Sequence, residues 1–319
     1  MKLLPLLAVS GSLLFILTLM LKAESPEEIE QRYLANAAAA PPKILVWEAH
    51  RGGGGGYEMP ESCPISFEYG WMLGGVPEAD AMTTKDGVMI SLHDPTLKRT
   101  SDAPEPIAST PISELTYEEI RKYNIGGEEY PDQRVPAVNE LLAKLAEDPE
   151  KELIFDYKNV PIELLADAIR KYDVASQVTF STCNPAKALE MKKELPEIQV
   201  KLWIGGSAEA IMKAFKEAER NNFYGFEQVQ LHLNDLTERD AENWRWQLSK
   251  KDLKYALDAT LREDVLLQVL PWRFEAEDID AVLDLGIRSF AVDYPNKFCK
   301  ITSAYFSRHW AQLPEEQQQ

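Results

Sequence analysis

Cysteine is scarce in this chain: Cys63, Cys183 and Cys299 are the three present among 319 residues. An odd, widely spaced set of three does not make a disulfide framework, so a small cystine-stapled fold is excluded. Histidine is nearly as rare, with four residues. Positive charge is short as well. Against 52 Asp and Glu there are 34 Lys and Arg, for a net charge of −18. That balance excludes nucleic acid as a partner and electrostatic adhesion to anionic lipid. It does not exclude a small anionic substrate held by local cations. Long apolar runs are missing except for one, Leu3 to Leu21, which is close to the ~20 residues that span a bilayer.

That run makes residues 1–25 a signal peptide or an uncleaved membrane anchor. Pro5 and Ser10-Gly11-Ser12 interrupt it, and Ala23 offers a cleavage site beside Lys22. Either way the remainder is expected outside the cytoplasm, exported or held at the membrane through residues 3–21. No lipobox cysteine follows the leader, which argues against a lipoprotein. Residues 26–42 read as a linker with a short helix. Pro26-Glu27-Glu28-Ile29-Glu30 sets acids at its start, and Pro41-Pro42 closes it. Residues 43–313 suit one large α/β domain, with 45% of the chain hydrophobic to fill its core, and 314–319 form a polar tail.

The most informative stretch runs from Glu48 to Ser101. Apolar Ile44-Leu45-Val46-Trp47 leads into His50 and Arg51, as a buried strand would that presents both at its end. Glu78 and Asp80 are two apart, so in a strand both carboxylates share a face. They repel unless a cation lies between them, and oxygen-only ligation suits Mg2+ or Ca2+ better than zinc. A second strand-like run, Val88 to Leu92, delivers His93. Two histidines flanking a metal and an arginine supply what phosphodiester cleavage needs: one to activate the attacking oxygen, one to protonate the leaving group, and cations for the phosphoryl oxygens.

In this order and spacing, His50-Arg51-Gly52, Pro60-Glu61-Ser62, Glu78-x-Asp80, Thr84-Lys85-Asp86-Gly87 and His93-Asp94 resemble the motifs of the glycerophosphodiester phosphodiesterase family. The resemblance implies metal-dependent hydrolysis of glycerophosphodiesters to glycerol 3-phosphate and an alcohol. It implies that Glu78, Asp80 and Asp156 hold one divalent cation and that Arg51 and Lys158 approach the phosphate. It further implies that Trp272 packs on the substrate and that His50 and His93 share the acid and base roles, in an order left open. Glu61 alone reads as the first-turn acid of a helix; the resemblance keeps it beside the site. Departures from the pattern are Ser62 where Asn is usual, Pro77 and Met82 where other apolar residues are usual, and Asp156 where Glu is usual. The related spider-venom phospholipases D, which this sequence also resembles, use Asp at that last position. The run Gly52 to Gly56 is longer than usual and is expected to loosen the first loop. Two alternatives stand beside this reading: a phospholipase D-like enzyme acting on lysophospholipids or sphingolipids, and a non-catalytic anchored barrel.

Beyond residue 134 the pattern is strand then helix, repeatedly. Strands are expected at Glu152–Lys158, Gln177–Ser181, Gln199–Ile204, Glu227–Leu231, Val265–Leu270 and Ser289–Val292, with helices between them. With the strands near Leu45, Glu78 and Val88, the expectation is a (β/α)8 TIM-type barrel carrying an inserted region after the second strand. The insertion, Pro95 to Arg134, is expected to shape the pocket. Trp203 lies near a strand end. Asp293-Tyr294-Pro295 reads as structural, Cys63 as a packed small side chain, and His232 and His309 as unrelated to catalysis.

Overall fold

The structure, a computed structural model, describes residues 45–310. The leader, the linker and the tail at 314–319 lie outside the described residues. Nine strands run in chain order: β1 (Val46–Ala49), β2 (Val76–Thr83), β3 (Met89–Ser91), β4 (Leu153–Tyr157), β5 (Val178–Thr182), β6 (Gln199–Ile204), β7 (Gln228–Leu233), β8 (Leu266–Pro271) and β9 (Ser289–Val292). All but β3 are parallel and follow the spatial order β1-β9-β8-β7-β6-β5-β4-β2. Pairing of β1 with β2 closes the ring, so eight strands form the expected barrel. The run at Val88 is not one of the eight. It forms β3, a hairpin partner antiparallel to β2 through Ala81↔Ser91 and Thr83↔Met89. Pro77, which has no amide hydrogen to donate, sits opposite Ala49 where β2 and β1 share only two residue pairs.

Helices cover the barrel: α1 (Pro64–Met72), α2 (Tyr117–Ile120), α3 (Val138–Glu147), α4 (Ile162–Tyr172), α5 (Pro185–Glu194), α6 (Ala208–Arg220), α7 (Lys250–Arg262), α8 (Ala276–Asp284) and α9 (Pro295–Trp310). Their starts are written locally. The side chains of Asn184, Ser207 and Ser249 accept hydrogen bonds from backbone amides in the first turns of α5, α6 and α7. Their buried faces follow the helical repeat, as with Ile211, Phe215 and Ala218 on α6. Outward-pointing strand residues such as Leu153, Phe155 and Phe180 meet these faces in the main core. The segment before α7 was expected to be helical. It is irregular instead, and it buries Trp244 and Trp246 edge to face at 4.9 Å. No helix among the described residues is long and apolar enough to cross a membrane.

The insertion has its own small core. Ile112, Leu115, Ile120 and Ile125 pack on Cys63, Met82, Ile90 and Leu92, which pins the segment beside the C-terminal end of β2. Cys63 is the packed small side chain that the sequence predicts, and all three cysteines are free thiols.

Inside the barrel the inward-facing side chains form a polar floor. Lys201 Nζ pairs with Glu48 and donates to Gln268 Oε1 at 3.3 Å. Gln230 Nε2 donates to Gln268 Oε1 at 2.6 Å, and Gln268 Nε2 to Ser289 Oγ at 3.2 Å. Glu48 and Lys201 are 3% and 1% exposed, so each charge depends on the other. Lys201→Ala is expected to leave Glu48 buried and unpaired, at a cost of about 3 to 5 kcal/mol. Thermal denaturation should show a large fall in Tm, and Glu48→Gln combined with Lys201→Met should recover most of it. A Lys201→Ala protein as stable as the parent would mean that water reaches Glu48.

Candidate active site

The barrel gathers the chemistry at the C-terminal ends of its strands, as in other barrels of this type. A cavity of about 200 Å³ is lined there by Glu48, His50, Arg51, Glu78, Asp80, His93, Asp156, Lys158, Trp203, His232 and Trp272, among others. Eight of the nine residues singled out in the sequence line it, and Glu61 lies just behind Arg51.

Parallel register explains the acidic cluster. Asp80 on β2 lies beside Asp156 on β4, and Glu78 is two residues back on the same inward face. One oxygen from each of the three carboxylates lies within 4.8 Å of the others, and all three residues are buried. Burial, reinforced by the charge of Asp80, pushes the Glu78 carboxyl well above the usual carboxylate range. Burial would raise Asp80 too, but the charge and hydrogen bond of Lys158, with the charge of His50, outweigh it and hold Asp80 low. Lys158 Nζ stands 2.8 Å from both Asp80 Oδ1 and Asp156 Oδ2. Burial disfavours its charge, yet the surrounding carboxylates hold it well above the ordinary lysine range. Asp80 Oδ2 is buried and has no hydrogen-bond partner. Three carboxylates against one lysine, all-oxygen donors and an orphaned carboxylate oxygen together fit a hard divalent cation.

Each site histidine is oriented by its own carboxylate. His50, directly after β1, has Nδ1 at 2.6 Å from Asp293 Oδ1, directly after β9. Burial would lower its pKa, but the hydrogen bond and charge of Asp293, with help from Glu78, raise it to about 9. Asp293 is therefore a site residue rather than the structural element that its sequence suggests. His93 Nδ1 lies 2.7 Å from Asp94 Oδ1, and its Nε2 lies 3.1 Å from Arg51 Nη2. A guanidinium only donates, so this network assigns the His93 hydrogen to Nδ1 and a lone pair to Nε2.

Arg51 is held at three points. Its backbone N–H donates to Glu78 Oε2 at 2.7 Å, its Nη1 to Glu61 Oε2 at 3.1 Å, and its Nη2 to His93. Its Nε is buried without a partner. Glu61 is not a first-turn acid, because α1 begins after it with Cys63 as the N-cap. It lies 4% exposed and accepts from both Arg51 and Arg99. The glycine run also has a role other than loosening the loop. At Gly54, where φ is 98°, a Cβ would stand 2.7 Å from the Asp293 carbonyl oxygen, and at Gly55 it would stand 2.4 Å from Asp293 Oδ1. The run lets the backbone close on the carboxylate that orients His50.

The structure also places His232 in the cavity lining, where the sequence offered no partner for it. Its ring stacks on Trp203 at 5.1 Å and meets Trp272 edge-on at 5.3 Å, while Trp272 meets His50 at 5.7 Å. Burial, with the charges of His50 and Lys201, lowers its pKa to about 4, so it is neutral at pH 7. Trp203 Nε1 donates to Asp156 Oδ1 at 2.8 Å. The inward parity of Lys201-x-Trp203 and Gln230-x-His232 was the available signal. His309 lies outside the cavity, as expected, with Nδ1 bonded to the Tyr305 carbonyl.

Ser62 carries a cost that the sequence allows to be removed. Its φ is 56°, and its buried Oγ has no partner. Left-handed backbone suits Asn far better than Ser. Ser62→Asn is expected to stabilise the protein by about 1 kcal/mol, read as a rise in Tm of a few degrees. A fall in Tm would mean that the slot around Ser62 has no room for the amide.

Comparison with known proteins agrees with this arrangement. Residues 50–297 match the model of the glycerophosphoryl diester phosphodiesterase family. A glycerophosphodiester phosphodiesterase from Caldanaerobacter subterraneus is 28% identical over 165 residues, 48% of this chain and 64% of that protein. Rat glycerophosphodiester phosphodiesterase 1 is 32% identical over 102 residues, 30% of this chain and 29% of that protein. The matches to these two relatives thus span less than two thirds of their lengths. Among solved structures, a putative glycerophosphoryl diester phosphodiesterase from Silicibacter pomeroyi superposes with a TM-score of 0.64 at 19% identity, over 84% of this chain and 97% of that one. A phosphodiesterase from Oleispira antarctica, solved with the product sn-glycerol-3-phosphate, gives 0.60 at 20% identity, over 82% and 98%. These two likenesses speak to the barrel fold. The family match covers most of the chain and takes in every motif described above, and the chain belongs to the glycerophosphoryl diester phosphodiesterase family.

Proposed function

We propose that this protein hydrolyses glycerophosphodiesters to glycerol 3-phosphate and a free alcohol, with one divalent cation, Mg2+ or Ca2+, held by Glu78, Asp80 and Asp156. The observation that carries the reading is the buried triad of carboxylates faced by two histidines, each with its own orienting carboxylate. The complex of the Oleispira relative with sn-glycerol-3-phosphate supports the choice of product. The cation, when bound, neutralises charge on the phosphoryl oxygens and polarises the phosphorus centre.

The chain's own residues account for the rest. Arg51, with its unpartnered Nε–H, and Lys158 are the cations that a phosphoryl group meets. His93, which carries a lone pair on Nε2, serves as general base for the attacking oxygen, either water directly or a glycerol hydroxyl whose cyclic phosphate a water then opens to glycerol 3-phosphate. Phosphoryl binding draws Arg51 Nη2 away from that lone pair and frees it. His50, protonated at neutral pH, donates to the leaving alcohol from Nε2, while Asp293 holds Nδ1. Trp272, edge-on to His50, forms a wall for the alcohol. Export, or tethering through residues 3–21, belongs to the same proposal and rests on the apolar run at the start of the chain.

One observation favours a second reading, release of the head group from lysophospholipids or sphingolipids. A groove of about 450 Å³ lies between α5 and α6, lined by Leu202, Ile204, Ala214, Ala218 and Tyr224, and Trp203 borders both it and the site cavity. The third reading, a non-catalytic barrel, is disfavoured by the intact set of site residues.

The deciding assay measures glycerol 3-phosphate released from glycerophosphocholine by the purified protein, beside choline released from lysophosphatidylcholine. Turnover should require Mg2+ or Ca2+, stop with chelator, and be lost in His50→Ala. Lipid turnover without turnover of the soluble diester would favour the second reading, and a folded protein inert on both would favour the third. Asp293→Asn should lower kcat by about 10²- to 10⁴-fold, the scale of general acid catalysis, with little change in metal requirement. An unchanged kcat would remove Asp293 from the mechanism.

A further inference from the structure

Arg99 stands on the loop after β3 with its side chain 47% exposed, and it completes a closed ring of side chains beside the site. Its Nη1 and Nη2 donate to Glu61 Oε2 and Oε1 at 2.8 and 2.6 Å. Its Nε and Nη2 donate to Asp94 Oδ2 and Oδ1 at 2.7 and 2.9 Å. Glu61 holds Arg51, Arg51 reaches His93, and His93 returns to Asp94. We propose that Arg99 is a positioning residue for the hydrolysis proposed above, on which this inference rests. It fixes the two carboxylates that aim Arg51 and His93, so that a single side chain sets both the phosphate-binding arginine and the general base.

The charge count supports the assignment. Two guanidinium groups and two carboxylates balance around a neutral His93, so the ring closes without a surplus of either sign. Remove Arg99, and Glu61 and Asp94 share one arginine. Glu61 keeps Arg51, because its carboxylate is buried. Asp94 is more open, with 23% of its side chain exposed, and has only the His93 hydrogen left to hold it. It then turns to water, and His93 loses the partner that fixes its hydrogen on Nδ1. The damage reaches His93 first and Arg51 second.

Fork geometry is what the position requires. A guanidinium presents parallel N–H pairs to two carboxylates at once, whereas a lysine ammonium is a point donor that cannot span both. The triad of Glu78, Asp80 and Asp156 makes no contact with Arg99, so metal affinity is a control that should stay unchanged.

The experiment compares wild type, Arg99→Gln, Arg99→Lys, Asp94→Asn and the Arg99→Gln/Asp94→Asn double variant in two ways. Kinetics use glycerophosphocholine with Mg2+. The tautomer of His93 is read from 15N-imidazole resonances, assigned by their loss in His93→Ala. Arg99→Gln should lower kcat/KM on the order of 100-fold, mainly in kcat, the size expected when a reacting group is slightly misplaced. The double variant should be no worse than the weaker single variant, because both changes break one linkage. The Nδ1–H signature of His93 should be present in wild type, mixed with the other tautomer in Arg99→Gln, and intermediate in Arg99→Lys.

An unchanged His93 signature in Arg99→Gln overturns the proposal, whether activity is retained or is lost through a fall in Tm. Additive losses in the double variant overturn it as well. If wild-type protein turns over no diester, the hydrolase reading fails separately. The tautomer comparison then decides Arg99 alone: loss of the Nδ1–H signature supports its positioning role, and retention overturns it.

Discussion

Three carboxylates brought together in a buried place are the constraint on which this molecule depends. Glu78, Asp80 and Asp156 occupy neighbouring inward positions of two parallel strands, and a one-residue slip of either strand would turn that strand's acids outward and break the cluster. Left alone, the cluster would protonate or force the strands apart. Around it stand Lys158, in contact with two of the acids, and His50, charged beside Glu78. Lys201 lies below, paired with a fourth acid, Glu48. The net charge of −18 over the whole chain makes this local supply of cations more telling. The positive groups are concentrated where negative charge has been buried, and the three carboxylates leave room for a cation among them.

The second organising feature is that reactive side chains are seldom held by a neighbour in sequence. Asp94 beside His93 and Asp156 two residues from Lys158 are exceptions. The partner of His50 lies 243 residues away, that of Glu48 153 residues away, and Trp203 bonds an aspartate 47 residues distant. These pairings join adjacent strands, strands two apart, or opposite sides of the barrel. Closure of the sheet is thus a requirement of the chemistry as much as of stability: β1 and β9 must pair for Asp293 to meet His50.

This distance explains what the sequence discloses and what it withholds. The alternation of strands and helices, the two-residue spacing of Glu78 and Asp80, and the strand-end placement of His50, His93 and Asp156 are local patterns, and the structure reproduces them. The (β/α)8 architecture follows from the same local signals. Asp293 looked structural because nothing within ten residues of it suggests a partner. His232 looked idle for the same reason, although a lone histidine on an inward strand position was a signal that strand parity could have used. The glycine run was read as slack, since sequence shows the absence of side chains and not the carboxylate that occupies their place. Val88 to Ser91 had the composition of a barrel strand. Only the short turn before it, too short for a parallel crossover, marked it as a hairpin.

The way the chain threads the barrel has a bearing on how the molecule can be handled. β1 starts at the N-terminal end of the strands, and α9 follows β9 and runs back down the outside for sixteen residues, about 24 Å at helical rise. Residues 45 and 310 therefore both lie on the face opposite the cavity. A support, label or fused domain joined at either point stands off from the site by the height of the barrel.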